Sequence, residues 1–206
     1  MVDYKEFQDV EHAIIKTARL LESEWNGGFP CIRLDDIEKI IGHKNKDCSV
    51  VEHGADEGPL TGAILDEYLK NHPYAIVRKY YHPLYEPEKV VNHTFLIAKI
   101  VKEDGEEKKI YDSWYFTNNK SKSKSESDSE YFSKCFDEDV EKEYNFSKTG
   151  FQQDKNQGVC AIFALATYFA IKTQKFKKLE EILKRINEEI RVHKITGSLR
   201  GEGERY

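Results

Sequence analysis

Apolar positions recur at helical spacing in five segments of this 206-residue chain and crowd at strand density in three. Over residues 4–25, Phe7, Val10, Ile14, Ala18 and Leu21 mark one face of an amphipathic helix that Gly27 and Gly28 close. A short helix over residues 34–41 follows, ended by Gly42. Residues 43–58 are polar and glycine-containing and read as loop. Periodicity returns over residues 59–71 through Leu60, Ile64, Leu65, Tyr68 and Leu69. Residues 74–81 are rich in β-formers and stop at His82-Pro83, and residues 90–101 and 109–116 form two more such runs. The charged stretch with Gly105 between those two predicts a hairpin turn.

Residues 117–130 are a low-complexity Lys/Ser/Glu run with nothing to bury, hence a surface loop. The aromatic, acidic segment 131–144 has no clear period. From 159 to 172, Val159, Ile162, Phe163, Ala166, Phe169 and Ala170 fit a buried helix. A last amphipathic helix is expected over residues 175–193 on Leu179, Ile182, Leu183, Ile186 and Ile190, with a frayed end from Thr196. Helices and a hairpin in this mixture predict an α+β fold. The length suits one core, so residues 1–206 read as a single domain: a recognition region 1–58, a core 59–173 and a C-terminal helix 175–195.

Composition narrows the function classes. The chain is 33% charged with net charge −5 and no segregation of sign, which gives no electrostatic case for nucleic acid. Its longest apolar run, 159–171, is interrupted by Thr167 and Tyr168 and is too short to span a bilayer. The opening residues lack the pattern of a secretion signal. Cys31, Cys48, Cys135 and Cys160 are scattered with no paired or zinc-like spacing. Reduced thiols in a cytoplasmic compartment, with no metal or other cofactor, are therefore expected.

Of the four, Cys160 stands out by position. A thiol in the first turn of a helix lies beside N–H groups that lack intrahelical partners, at the positive end of the helix dipole, and this favours thiolate. The hairpin offers the partners a thiol nucleophile needs. His93 lies near the start of its first strand and Asp112 near the end of its second, so antiparallel pairing brings an imidazole and a carboxylate to one edge. A turn centred on Asp104-Gly105 sets His93 opposite Phe116, leaving an offset for twist or a bulge to absorb. In such a set Cys160 attacks a carbonyl, His93 moves the proton and Asp112 orients the ring. The amide of Gln153 or Gln157, with the Cys160 backbone N–H, would bind the developing oxyanion.

Histidine, then aspartate in an Ile-Tyr-Asp-Ser run, then glutamine shortly before a cysteine that opens an aliphatic–aromatic helix resembles the Ulp1-like cysteine peptidases. That superfamily (clan CE) includes SUMO and NEDD8 proteases, bacterial effector deubiquitinases, adenovirus-type proteases and YopJ-type acetyltransferases. The likeness covers residues 60–170, including PLTGAILDEYLKN as the helix before the catalytic strands. It implies a papain-like-fold variant: a central mixed or antiparallel sheet, the nucleophile helix packed on it, and flanking N- and C-terminal helices. It also implies His93, Asp112, Cys160 and Gln153 as catalytic residues.

Three positions depart from the family. Thr94 stands where a tryptophan usually follows the histidine, Val159-Cys160-Ala161 replaces Asp-Cys-Gly, and Gln153 lies one position too far from Cys160. Gln157 then becomes the alternative oxyanion donor, and Trp114 or Tyr115 the alternative lid over a substrate's terminal glycines. Trp114, Gln157 and Thr94 are the substrate-binding candidates. The implied activity is a thiol isopeptidase that removes ubiquitin or a ubiquitin-like modifier (SUMO or NEDD8) from lysine side chains, in the manner of a bacterial effector in host cytosol or a viral enzyme. The alternatives are a YopJ-type acetyltransferase, an adenovirus-type endopeptidase, and a degenerate member that binds the modifier without cutting it. Substrate recognition is expected from helix 4–25, loop 43–58 and the cluster Tyr80, Tyr81, His82 and Tyr85.

Overall fold

A computed structural model describes residues 34–41, 47–84, 86–113, 133–147 and 160–172. The helices read over 4–25 and 175–193, the 117–130 loop, the end from Thr196, and the candidates Trp114, Tyr115, Gln153 and Gln157 lie outside them, as do Cys31 and Tyr85.

The described elements run α1 (Leu34–Ile41), β1 (Cys48–His53), α2 (Gly62–Tyr68), β2 (Tyr74–Tyr81), β3 (Val91–Lys102), β4 (Gly105–Tyr111), α3 (Val140–Glu143), β5 (Asn145–Phe146) and α4 (Cys160–Lys172). The strands form one mixed sheet in the order β1-β2-β3-β4-β5. The central pairs β2/β3 and β3/β4 are antiparallel, whereas β1 and β5 join the edges in parallel. This is the mixed, α+β-compatible architecture that the alternation of elements predicted.

Strict alternation along β2, β3 and β4 gives the sheet two buried faces. Ile76, Leu96, Ala98 and Tyr111 pack against α4, with Ile37 of α1 in the same cluster. Ala75, Val77, Phe95, Ile97 and Ile110 face the other way, onto Leu60, Leu65, Phe136, Val140 and Tyr144. α4 is apolar on every side and buried from Cys160 to Tyr168, so it is a core helix rather than a surface one. At its far end Lys172 ties back to Asp47 at 3.1 Å and to the Tyr168 hydroxyl at 3.2 Å.

The opposite layer is held by a polar clamp. Asp66 of α2 accepts from the buried Tyr144 hydroxyl at 2.6 Å and from Lys108 of β4, binding helix, sheet and the segment before β5 together. Burial alone would raise the Asp66 carboxyl, but the Lys108 and Tyr144 donors outweigh it and hold the pKa below the usual aspartate value. Tyr144→Phe removes one of these donors while keeping the ring's packing. It is expected to cost about 1 kcal/mol, read as a lowered denaturant midpoint at unchanged slope.

Four boundaries differ from the sequence reading. Residues 43–58 are not all loop, because Cys48–His53 forms β1; six residues of modest hydrophobicity become a strand only because β2 offers a parallel partner. The helix read over 59–71 contracts to Gly62–Tyr68: Thr61 caps it by accepting from Ile64 N, while Leu60 bridges to Phe136 instead. β4 begins earlier than residue 109 and its described part ends at Tyr111, because the turn is tighter than the charge pattern suggested. The unassigned segment 131–144 contains a helical turn at 133–135 and α3, then leads into β5.

Candidate functional site

The β3–β4 turn decides which side chains meet. Lys102 pairs with Gly105, so Glu103 and Asp104 are the two loop residues, and Gly105 takes φ +140, a region that L side chains rarely adopt. The turn's centre therefore lies one position earlier than Asp104-Gly105. Each step at a hairpin centre moves the pairing by two. With Leu96 opposite Tyr111, the next pair along is Phe95 with Asp112, two positions from His93 rather than four. His93 and Asp112 become diagonal neighbours on one face, a spacing that long side chains bridge without a bulge.

They do bridge it. His93 Nε2 lies 2.7 Å from Asp112 Oδ1, with the imidazole 2% exposed and the carboxylate fully buried. The ring stacks near Phe95, centroids 6.3 Å apart at 24°, which limits its rotation about the sheet edge. Cys160, the first residue of α4, is near enough to the same ring that each shifts the other's ionisation. Three residues separated by as much as 67 positions (160 − 93) thus come together: carboxylate, imidazole and sulfur.

Electrostatics follow from that grouping. Burial opposes a charged imidazole, yet the Asp112 carboxylate and the Cys160 sulfur together hold His93 well above the ordinary histidine value. Burial likewise opposes a thiolate at Cys160, but the His93 ring and Thr94 outweigh it and bring the thiol below its ordinary value. Cys48 serves as an internal comparison. It is also buried and free, lacks an imidazole, and is pushed up to about 12, chiefly by burial. One folded chain therefore holds a thiol set up to ionise and another held inert.

Thr94 is fully buried, with its hydroxyl accepting from Arg78 Nε at 3.2 Å. Sequence reading took 74–81 as a strand and singled out only its Tyr80 and Tyr81, and so missed two residues. Arg78 is 4% exposed and lies cross-strand from Thr94, and Lys79 is fully buried and lies cross-strand from His93. Lys79 donates to Gly54 O at 2.7 Å, and burial brings its pKa below the usual lysine value. Two adjacent cations inside an apolar central strand were the available signal, since such groups are seldom buried without a partner.

Ser113, next to Asp112, is buried too. Among the described residues no group of three or more His, Cys, Asp or Glu could hold a metal ion. None of the described helices is long and apolar enough to cross a membrane. No protein-family model matches the chain, and no curated protein matches it.

Proposed function

We propose that this chain is a thiol isopeptidase of the Ulp1-like type, removing ubiquitin or a ubiquitin-like modifier from lysine side chains. The observation that carries the reading is the His93–Asp112 contact of 2.7 Å, with Cys160 and the same buried ring shifting each other's ionisation. The position of the sulfur at the N-terminus of a core helix packed on a mixed sheet also supports a papain-like arrangement.

In this mechanism the Cys160 thiolate attacks the carbonyl carbon of the isopeptide bond and forms a tetrahedral oxyanion. The α4 first-turn N–H groups lie at the positive end of the dipole, where the negative oxygen is favoured, with Gln153 or Gln157 as the side-chain donor. Collapse breaks the C–N bond as His93 gives its proton to the leaving lysine amine. Water, deprotonated by His93, then hydrolyses the thioester and regenerates the thiolate. Asp112 fixes the ring and balances its charge through both steps.

The test is labelling with ubiquitin, SUMO and NEDD8 bearing a C-terminal electrophile. At least one should add its mass to the wild-type chain at Cys160 and none to Cys160→Ala. If no member of the panel labels while iodoacetamide alkylates Cys160, the isopeptidase reading fails. Acetylation of the protein by acetyl-CoA through Cys160 would instead assign a transferase. Modifier binding without turnover, unchanged in Cys160→Ala, would assign a non-catalytic binder.

A further inference from the structure

Next to His93 the chain places a threonine where a bulky aromatic residue would fill the space, and the structure puts that threonine to a definite use. Thr94 and Arg78 are directly paired across β3 and β2, on the face that carries Leu96, Ala98 and α4. Arg78 Nε donates to Thr94 Oγ1 at 3.2 Å in the interior, on the sheet face that α4 covers, and Thr94 is among the groups that bring the Cys160 thiol below its ordinary value. A hydroxyl has one proton and two lone pairs. With a lone pair taken by a guanidinium that can only donate, the hydroxyl proton turns to the acceptor opposite, the sulfur.

We propose that Thr94, oriented by Arg78, is a positioning residue whose hydroxyl donates to the Cys160 thiolate, forming a second support for the sulfur beside His93. This rests on Cys160 being the nucleophile of the proposed reaction. No proton changes hands in the relay: Thr94 keeps its proton and Arg78 its charge. The consequence falls wherever the sulfur carries negative charge, in the resting ion pair and again in deacylation. There His93 takes the proton of the attacking water and the sulfur departs as a thiolate beside the imidazolium. A fixed hydroxyl dipole supports that anion whichever state His93 is in, with little reorganisation. A tryptophan's indole offers one N–H on a large ring, and a valine offers no donor.

The charged and titratable groups around the sulfur bear on any test by pH. Among the described residues they are His93 on β3, Asp112 just past β4, Arg78 paired with Thr94 and Lys79 beside His93 on β2; α4 adds the Tyr168 phenol two turns on and Lys172 as its last residue. The readout is thiolate formation by ultraviolet absorbance against pH, with the Cys160→Ala protein subtracted so that only this sulfur is seen.

Thr94→Val, which keeps the shape and removes the donor, should move the Cys160 midpoint upward by about one pH unit, a tenfold loss of thiolate on the acid limb. Thr94→Ser should restore the wild-type midpoint. Arg78→Met, which frees the hydroxyl to rotate, should shift it in the same direction. The Thr94→Val/Arg78→Met double variant should shift no further than Thr94→Val, because both act through one hydroxyl. An unmoved midpoint in Thr94→Val, an equal shift in Thr94→Ser, or fully additive shifts in the double variant would overturn the relay. Should Thr94→Val fail to fold, an unmoved midpoint in Arg78→Met overturns it. The titration needs no substrate, so a shifted midpoint in a protein that no modifier probe labels would leave the relay standing while the isopeptidase reading fell.

Discussion

Cys160→Ser is expected to abolish turnover, lowering kcat by at least about 10⁴-fold with the fold intact. The replacement differs by one atom, so α4 keeps its place in the core and any loss is chemical. A serine hydroxyl ionises far less readily than a thiol, and the thiolate–imidazolium pair that His93 supports cannot form with it. Cys160→Ala should be equally inactive yet bind its modifier with undiminished affinity, because it deletes the nucleophile and leaves the surrounding surface unchanged. Single-turnover assay and binding measurement on the two variants separate chemistry from recognition. Turnover in Cys160→Ser within tenfold of wild type would remove the sulfur from the mechanism.

Asp112→Asn is expected to lower kcat/KM by about 10²- to 10⁴-fold and to narrow the active pH range from both sides. In the wild type the ion pair exists between the lowered Cys160 pKa and the raised His93 pKa, so activity should rise with pH as the thiolate forms and fall as the imidazolium loses its proton. Without the carboxylate, burial of His93 loses its main opponent, its pKa drops, and the alkaline limb moves to lower pH. A less charged ring supports the thiolate less well, so the acid limb moves up. Asparagine is preferred to alanine because removing one partner of a buried pair outright costs about 3–5 kcal/mol and would confuse misfolding with lost chemistry.

The sign for stability follows from the same shift. A histidine raised in the folded state contributes stability that is full below its ordinary value of 6.5 and is lost as pH rises through the raised value. Asp112→Asn should therefore lose most stability in acid and least in alkali. A pH–rate profile with wild-type limbs would reduce Asp112 to a structural contact.

His93, Asp112 and Cys160 were legible as candidates because their chemistry survives in one dimension: an imidazole and a carboxylate at the ends of two β-runs, and a thiol opening an apolar helix. Gln153, Gln157 and Trp114 were legible in the same way but lie outside the described residues. Arg78, Lys79 and the use made of Thr94 were not legible. Each gains its meaning from a neighbour on another strand, and a strand's own letters do not say which residue lies across from it. β1 was missed for a related reason: Cys48–His53 has no hydrogen-bonding partner within itself, and only the edge of β2 makes it a strand.

By itself the order of residues determined the types and rough limits of α1, β2, β3 and α4, because hydrophobic period, strand propensity and helix stops are local properties of the chain. It also determined the inventory of reactive groups. The tertiary structure decided the register, and with it the site. A turn on Glu103-Asp104 rather than one residue later halves the separation of His93 from Asp112's cross-strand position. Packing of α4 across β3 then brings a sulfur to the imidazole from 67 residues away (160 − 93). Proximity between distant segments is bought with buried apolar area, and that area exists only once both faces of the sheet are covered.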